Sequence, residues 1–255
     1  MTRTKILERE FGGLSVAITG GSDGPGSSEG GPLVVLLHGF GASGRDLVPL
    51  AQFLPVPAGT RFAFPAAPLS LGGGFDIGMG DFGLMDSRAW WMIDLERMQR
   101  RLLGAGSGDY SALTQDIPEG LAAARQQLGK ALDEMEQALS VPPGKLVLGG
   151  FSQGAMLAMD LALRTERPLA GLLLMSGALI CEKEWLPKMP ARRGLPVMQS
   201  HGRQDPLLPF VVAEQLRDHL RTAGLAIEFC PFSGGHEIPP PVLKAASSLI
   251  NKALG

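Results

Sequence analysis

The fold of this chain can be worked out from one run of residues, Leu146-Val147-Leu148-Gly149-Gly150-Phe151-Ser152-Gln153-Gly154-Ala155. Its apolar first half has the character of a strand that is buried on both faces. After the glycines, Met156, Leu157 and Leu161 continue at helical spacing. The run therefore predicts a strand, a tight turn and a helix, which together form the basic unit of an α/β fold.

The turn itself has the pattern G-x-S-x-G, written here as Gly150-Phe151-Ser152-Gln153-Gly154. This pattern is typical of a serine nucleophile on a sharp turn between strand and helix, where the two flanking glycines let the backbones approach closely. Ser152 would also stand at a helix N-terminus, whose N–H groups favour developing negative charge. The pattern predicts Ser152 as a nucleophile, and the alternative is an ordinary glycine-rich turn.

Apolar runs of strand length alternate with helical patterns along the rest of the chain. Residues 14–18 are predicted to form an edge strand, and further strands are predicted at 33–37, 60–64, 169–176, 196–200 and 225–229. This alternation predicts an α/β fold with a doubly wound, mostly parallel central sheet and helices on both faces. The length of 255 residues fits one such domain over residues 1–255.

Composition excludes several classes of function. The formal net charge is −2 and no long Lys/Arg block occurs, which argues against a nucleic-acid partner. Cys181 and Cys230 show no metal-binding spacing, so neither a zinc site nor a disulfide framework is predicted. The N-terminal residues lack the apolar segment of a signal peptide, and no apolar run is long enough to span a membrane. These features predict a cytoplasmic protein.

A second candidate element follows the strand predicted at residues 33–37. It is His38-Gly39-Phe40-Gly41, and its glycines allow backbone N–H groups to face a substrate oxygen, as in an oxyanion hole. The backbone N–H of Phe40 is predicted to act on the substrate. The ring of His38 is predicted to brace the loop.

A serine hydroxyl needs a base to attack an ester, and the base needs an orienting carboxylate. In an open α/β sheet such groups lie beyond the carboxyl ends of the strands. His236 follows the last predicted strand and Asp205 follows the one before it, so Ser152, Asp205 and His236 occur in the order of α/β-hydrolases. The remaining candidates are predicted to be structural or to lie on helices: His201, His219, Asp160 and Asp218.

Residues 69–115 are predicted to form a loop and cap insertion over the site. Long loops inside compact domains are usually functional, and the apolar side chains of Leu69, Phe75 and Met85 could line a pocket for an acyl or alkyl group. The alternative is a loop that packs over the sheet edge. The end of this region, residues 94–115, combines helical spacing with glycines and predicts a partly mobile cap.

Three blocks of the sequence resemble the carboxylesterase, acyl-protein thioesterase and lysophospholipase family. They are Gly149-Gly150-Phe151-Ser152-Gln153-Gly154, His201-Gly202-Arg203-Gln204-Asp205-Pro206 and Gly235-His236-Glu237-Ile238-Pro239. The resemblance implies an α/β-hydrolase fold with Ser152 as nucleophile, His236 as base and Asp205 as orienter. It implies the backbone N–H groups of Phe40 and Gln153 as the oxyanion hole. It also places Trp90 near the position of a family tryptophan beside the pocket.

The expected activity is hydrolysis of carboxylic esters, with thioesters or lysophospholipids as related substrates. The substrate would be a small molecule, no metal or cofactor would be needed, and the protein would act as a monomer or homodimer. The spacing from His38 to Ser152 exceeds that of compact family members, which points to a cap that selects small esters. Two alternatives use the same residues: a ligand-binding protein on a hydrolase scaffold, and an acyltransferase.

Overall fold

The computed structural model describes residues 5–27, 29–72, 86–94 and 109–255. Over these residues ten strands form. They are Leu7–Phe11 (β1), Leu14–Gly20 (β2), Leu33–Leu37 (β3), Arg61–Pro65 (β4), Leu69–Ser70 (β5), Arg88–Ala89 (β6), Leu146–Phe151 (β7), Gly171–Met175 (β8), Pro196–Gly202 (β9) and Ala226–Phe232 (β10).

The helices of the described residues alternate with the later strands. The α-helices are Ser111–Thr114 (α1), Leu121–Ala138 (α2), Gln153–Arg164 (α3), Glu182–Trp185 (α4), Phe210–Thr222 (α5) and Pro240–Leu254 (α6). Two further segments, Val48–Phe53 and Leu186–Arg192, are 3-10 helices.

Eight of the described strands form one sheet in the order β1-β2-β4-β3-β7-β8-β9-β10. From β4 to β10 every neighbouring pair is parallel, whereas β1 and β2 pair antiparallel and β2 joins β4 antiparallel. The prediction of a doubly wound, mostly parallel sheet is confirmed. The short strands β5 and β6 pair with each other, apart from this sheet.

Both faces of the sheet are covered, because successive side chains of central strands such as β3 enter different cores. In β3, Val35 packs in a core with α2, α3 and α5, whereas Val34 and Leu36 pack against α6 and the 3-10 helix Val48–Phe53. All five residues of β3 are buried. Such continuous apolar runs are typical of parallel strands with helices on both sides.

The prediction that residues 14–18 form the edge strand is wrong. The edge is β1, which pairs with β2 from Leu7↔Ile18 to Phe11↔Leu14. The tight turn between them contains Gly12, whose N–H donates to Glu134 Oε2 of α2 at 2.6 Å. Gly12 has φ +58, and a Cβ there would lie 2.6 Å from the backbone nitrogen of Ala131. The hairpin is thereby seated on α2.

None of the helices in the described part of the chain is long and apolar enough to cross a bilayer.

Candidate active site

Ser152 lies at the carboxyl end of β7, immediately before α3, as the pattern predicted. Its backbone has φ 55 and ψ −119, torsions that are strained for any residue other than glycine. The two flanking glycines permit this turn. A Cβ on Gly154 would lie 2.1 Å from the carbonyl oxygen of Leu37, and one on Gly150 would lie 2.5 Å from the carbonyl carbon of Gly154. Strand and helix therefore touch backbone to backbone.

Asp205 lies in the loop after β9, and its side chain is completely buried. Its Oδ1 accepts the N–H groups of Leu207 and Leu208, each at 2.9 Å, and its Oδ2 lies 2.6 Å from His236 Nδ1. Burial acts to raise the pKa of Asp205, but His236 and the two N–H donors outweigh it and hold this pKa below its ordinary value. Asp205 is therefore a carboxylate.

His236 lies in the loop after β10, with a side chain that is 8% exposed. Because Asp205 is acceptor-only, Nδ1 of His236 carries the proton and donates it, which leaves Nε2 as the potential base. The imidazole packs against the ring of Phe151, the residue before Ser152, with centroids 4.7 Å apart. The base is thus held beside the turn that carries Ser152.

The acid and histidine loops are fastened to each other through their backbones. Arg203 N–H donates to Phe232 O at 2.9 Å, and Gln204 N–H donates to Gly234 O at 3.0 Å. A Cβ on Gly202 would lie 2.1 Å from the carbonyl oxygen of Gly235, so only glycine fits there. This junction fixes the approach of Asp205 to His236.

His201 supports the acid loop from below. It is completely buried, its Nε2 donates to Leu208 O at 2.9 Å, and the same nitrogen lies 3.4 Å from Asp205 Oδ2. Burial lowers the pKa of His201, so the ring is neutral and carries its proton on Nε2. This geometry agrees with the structural role expected from the sequence.

The loop 38–42 lies directly opposite Ser152. A Cβ on Gly39 would be 3.3 Å from Ser152 Cβ. The ring of His38 spans the loop: Nδ1 donates to Gly39 O at 2.8 Å, while Nε2 accepts Ala67 N–H at 3.0 Å. Burial lowers the pKa of His38 to about 4, so the ring is neutral at physiological pH. His38 braces this loop, as its sequence context indicated.

Trp90 and Trp91 are both only 2% exposed. The indole N–H of Trp90 donates to His38 O at 3.0 Å, and the His38 and Trp90 rings lie 5.5 Å apart. Adjacent tryptophans in a regular element would face opposite sides, but these follow β6 in irregular backbone, and both turn inward. The contact predicted between Trp90 and substrate stays a prediction.

The other predicted substrate contacts are divided between described and undescribed segments. Leu69 lies on β5 and is 39% exposed. Phe75 and Met85 lie outside the described residues, as do residues 95–108 of the predicted cap. The end of that cap region forms the short helix α1.

One polar side chain near Ser152 was not foreseen. The side chain of Gln153 is buried, with Oε1 accepting Trp90 N–H at 2.9 Å and Nε2 donating to Trp91 O at 2.8 Å. The sequence offered one signal, because Phe-Ser-Gln is a more specific context than G-x-S-x-G alone.

Strand order, the turn at Ser152 and the hydrogen-bonded Asp205–His236 pair define the class of the protein as an α/β-hydrolase. A solved structure supports this fold: the esterase PE8 is 28% identical and superposes with a TM-score of 0.73, covering 94% of this chain and 99% of that one. SOBER1 of Arabidopsis thaliana, at 23% identity and a TM-score of 0.66 over 88% of this chain and 99% of its own, has the same fold.

A family model described as Phospholipase/Carboxylesterase matches residues 108–254. Acyl-protein thioesterase 1 of Eremothecium gossypii is 31% identical over 228 residues, which are 86% of this chain and 87% of the relative. A probable carboxylesterase of Oryza sativa subsp. japonica is 29% identical over 232 residues, covering 87% and 77% of the two chains. The chain belongs to the phospholipase/carboxylesterase family of hydrolases, as its three sequence blocks indicated.

Proposed function

We propose that the protein is a serine hydrolase that cleaves carboxylic esters through an acyl-enzyme. Ser152 is the nucleophile, His236 the general base and Asp205 the orienting acid. The observation that carries the proposal is the 2.6 Å hydrogen bond between buried Asp205 and His236, whose ring packs beside the strained turn of Ser152. These features supply a hydroxyl on a strained turn, an oriented imidazole and a fixed negative charge.

The reaction proceeds in two steps. His236 Nε2 takes the proton of Ser152 as Oγ bonds to the substrate carbonyl carbon, and the carbonyl oxygen becomes an oxyanion. His236 then gives this proton to the leaving alcohol or thiol as its bond to carbon breaks. Water attacks the acyl-enzyme by the same route, releasing the carboxylic acid and restoring Ser152.

The backbone N–H groups of Phe40 and Gln153 are proposed to stabilise the oxyanion. Gln153 is the first residue of α3, where N–H groups have no carbonyl partner within the helix. Phe40 follows Gly39, which lies against Ser152. Loss of one such donor typically lowers kcat by about 10²–10³-fold.

The substrate class is proposed as carboxylic esters, with thioesters next because one relative is an acyl-protein thioesterase. Leu69, 39% exposed, is proposed to contact the acyl group. Trp90, Phe75 and Met85 stay predicted contacts. We retain the prediction of a cytoplasmic protein, which the free cysteines Cys181 and Cys230 support.

Initial rates on p-nitrophenyl esters from acetate to palmitate test this function. We expect hydrolysis that Ser152→Ala lowers by more than about a thousandfold while the protein stays folded. A peak at short chains would assign a small-ester carboxylesterase, and a peak at long chains a thioesterase or lysophospholipase.

The rival hypotheses make different predictions in the same assay. A fluorophosphonate probe that fails to label Ser152, together with no hydrolysis of any ester, would replace the enzyme with a binding protein. Products partitioned to an added alcohol rather than water would indicate an acyltransferase.

A further inference from the structure

The side chain of Gln153 makes two hydrogen bonds that local structure does not require. Its amide oxygen accepts Trp90 N–H at 2.9 Å, and its amide nitrogen donates to Trp91 O at 2.8 Å. The residue is 1% exposed, so both bonds are shielded from water. The amide offers an acceptor and a donor side by side, whereas an ionised glutamate lacks the donor, and methionine has no donor and only a weak acceptor. The side chain of the residue after the nucleophile thus binds the backbone at Trp90 and Trp91 through two hydrogen bonds.

Residues 88–91, which include this backbone, are in turn hydrogen-bonded to the loop 38–42. Trp90 Nε1–H donates to His38 O at 3.0 Å. Two residues earlier, Arg88 accepts Gly41 N–H at 2.9 Å and donates its own N–H to Ala42 O at 3.1 Å. The backbone on both sides of Phe40 is therefore tied to residues 88–90.

These hydrogen bonds form a network that links the two segments carrying the proposed oxyanion donors. One proposed donor is the backbone N–H of Gln153. The side chain of the same residue is hydrogen-bonded to Trp90, and Trp90 is hydrogen-bonded to the loop that carries the other proposed donor, Phe40. Oxyanion donors act only when they lie about 2.7–3.1 Å from the developing charge. A shift of about 1 Å at a reacting centre can cost about 10²-fold in rate.

We propose that the Gln153 side chain is a positioning residue that sets the separation of the two oxyanion donors by fastening the Trp90–Trp91 backbone to the nucleophile turn. The inference rests on the proposed function. It assigns the Phe-Ser-Gln context a mechanical task distinct from that of the Gln153 backbone.

The test compares Gln153→Met with a matched variant, Gln199→Met. Gln199 is also 1% exposed, and its amide nitrogen donates to a backbone carbonyl, Ala213 O, at 2.8 Å, but it belongs to β9. Both variants replace a buried amide with a thioether of similar length, and both lose a hydrogen bond to a backbone carbonyl, so their melting temperatures report the effect of that loss on stability. We expect kcat to fall about tenfold to a hundredfold in Gln153→Met only, with KM within about threefold, because oxyanion contacts strengthen in the transition state.

An aliphatic trifluoromethyl ketone provides a second readout. Ser152 Oγ adds to the carbonyl carbon of the ketone, and the hydroxyl proton of Ser152 passes to His236. The resulting oxyanion occupies the oxyanion hole. The inhibition constant should rise in Gln153→Met by the same factor by which kcat/KM falls. An unchanged inhibition constant would show that Gln153 only stabilises the fold.

Trp90→Phe tests the next hydrogen bond of the network, and it is the second variant to use if Gln153→Met does not fold. Phenylalanine keeps an aromatic side chain at this position, but the hydrogen bond from the indole N–H to His38 O is lost. A fall in kcat at constant KM supports the inference. A rise in KM that depends on acyl length would instead make Trp90 a substrate contact and overturn this link.

The two levels of the proposal fail separately. If the wild-type protein shows no Ser152-dependent hydrolysis, the proposed function is overturned and the inference with it. If wild type hydrolyses esters and Gln153→Met behaves like Gln199→Met in both readouts, the inference alone is overturned.

Discussion

The backbone of Ser152 is strained in a way that the proposed chemistry uses. With φ 55 and ψ −119 it occupies a region that costs a non-glycine residue about 1–3 kcal/mol. The hydroxyl makes no cap bond to α3. The side chain therefore gives nothing to helix stability in exchange for this strain.

Ser152→Gly should therefore stabilise the protein while abolishing hydrolysis. Glycine relieves the strain and loses about 0.5–1 kcal/mol to chain entropy, for a net gain of about 1 kcal/mol and about 2–4 °C in melting temperature. Ser152→Ala is the control, because it loses the hydroxyl but keeps the strained torsions. A Ser152→Gly protein that melts no higher than Ser152→Ala would contradict the strain argument.

The neutral ring of His38 makes stability depend on pH. Burial lowers its pKa from 6.5 to about 4, so between these values the unfolded chain binds a proton that the folded protein does not. Unfolding free energy should then fall as pH decreases from 6.5 to about 4, by up to ~3 kcal/mol from this residue.

Denaturant titrations of wild type and His38→Gln at several pH values measure this contribution. The variant should be less stable near neutral pH, because it loses the ring that bridges Gly39 O and Ala67 N. It should show a flatter pH dependence in the same window. Parallel curves for the two proteins would mean that His38 does not contribute to it.

At the scale of elements, strand–turn–helix units with buried strands were predictable from the sequence. The strand β7 and helix α3 carry an apolar run, glycines and helical spacing in succession, and each signal is local. The edge strand β1 was missed because its sequence, Leu-Glu-Arg-Glu-Phe, is mostly charged and exposed. Its pairing is decided by backbone hydrogen bonds to β2, which composition does not reveal.

The packing of α3 against β3 predicts a large effect at one glycine. Gly154→Ala places Cβ 2.1 Å from Leu37 O and should destabilise the protein by about 3 kcal/mol or more. Gly129→Ala in α2 meets no atom within 4 Å and should stabilise by about 0.5–1 kcal/mol. Thermal melts of both variants check this contrast, and equal effects would contradict the close contact of strand and helix.

At the scale of the whole molecule, two buried aspartates have separate tasks. Asp160 of α3 is completely buried and binds Arg125 of α2 at 2.5 Å, Arg164 at 2.7 Å and the indole nitrogen of Trp185 at 2.8 Å. These contacts join α2, α3 and α4. Asp205 instead lies at the carboxyl edge of the sheet beside His236.

Substitution by asparagine should separate the two tasks. Asp160→Asn should lower the unfolding free energy by about 2–4 kcal/mol, because two arginines lose a buried partner, and leave kcat within about twofold. Asp205→Asn should lower kcat by about 10⁴-fold by favouring the wrong histidine tautomer. Paired measurement of stability and kcat decides this, and loss of kcat in Asp160→Asn would reopen the assignment of the acid.

The sequence placed Asp205 and His236 in consecutive loops, because parallel strands end at a common edge. It could not supply the contacts that hold them there. The backbone bonds from Arg203 and Gln204 to the end of β10 and the loop after it join segments about thirty residues apart, and the hydrogen bond from Trp90 N–H to the Gln153 side chain joins residues more than sixty apart. Such contacts depend on tertiary packing, which no local pattern encodes.

The small sheet of β5 and β6 has a consequence for protein engineering. Leu69 pairs with Ala89, Ser70 with Arg88, and Leu71 N–H donates to Ser87 O at 2.8 Å. Backbone hydrogen bonds thus join the two ends of the intervening stretch, and they do not depend on which residues lie between those ends. Because doubling the length of an already closed loop costs only about 0.6 kcal/mol, segments of different length and composition can be exchanged between Leu71 and Ser87. Varying this stretch tests the prediction that the loop and cap insertion at residues 69–115 selects the acyl group.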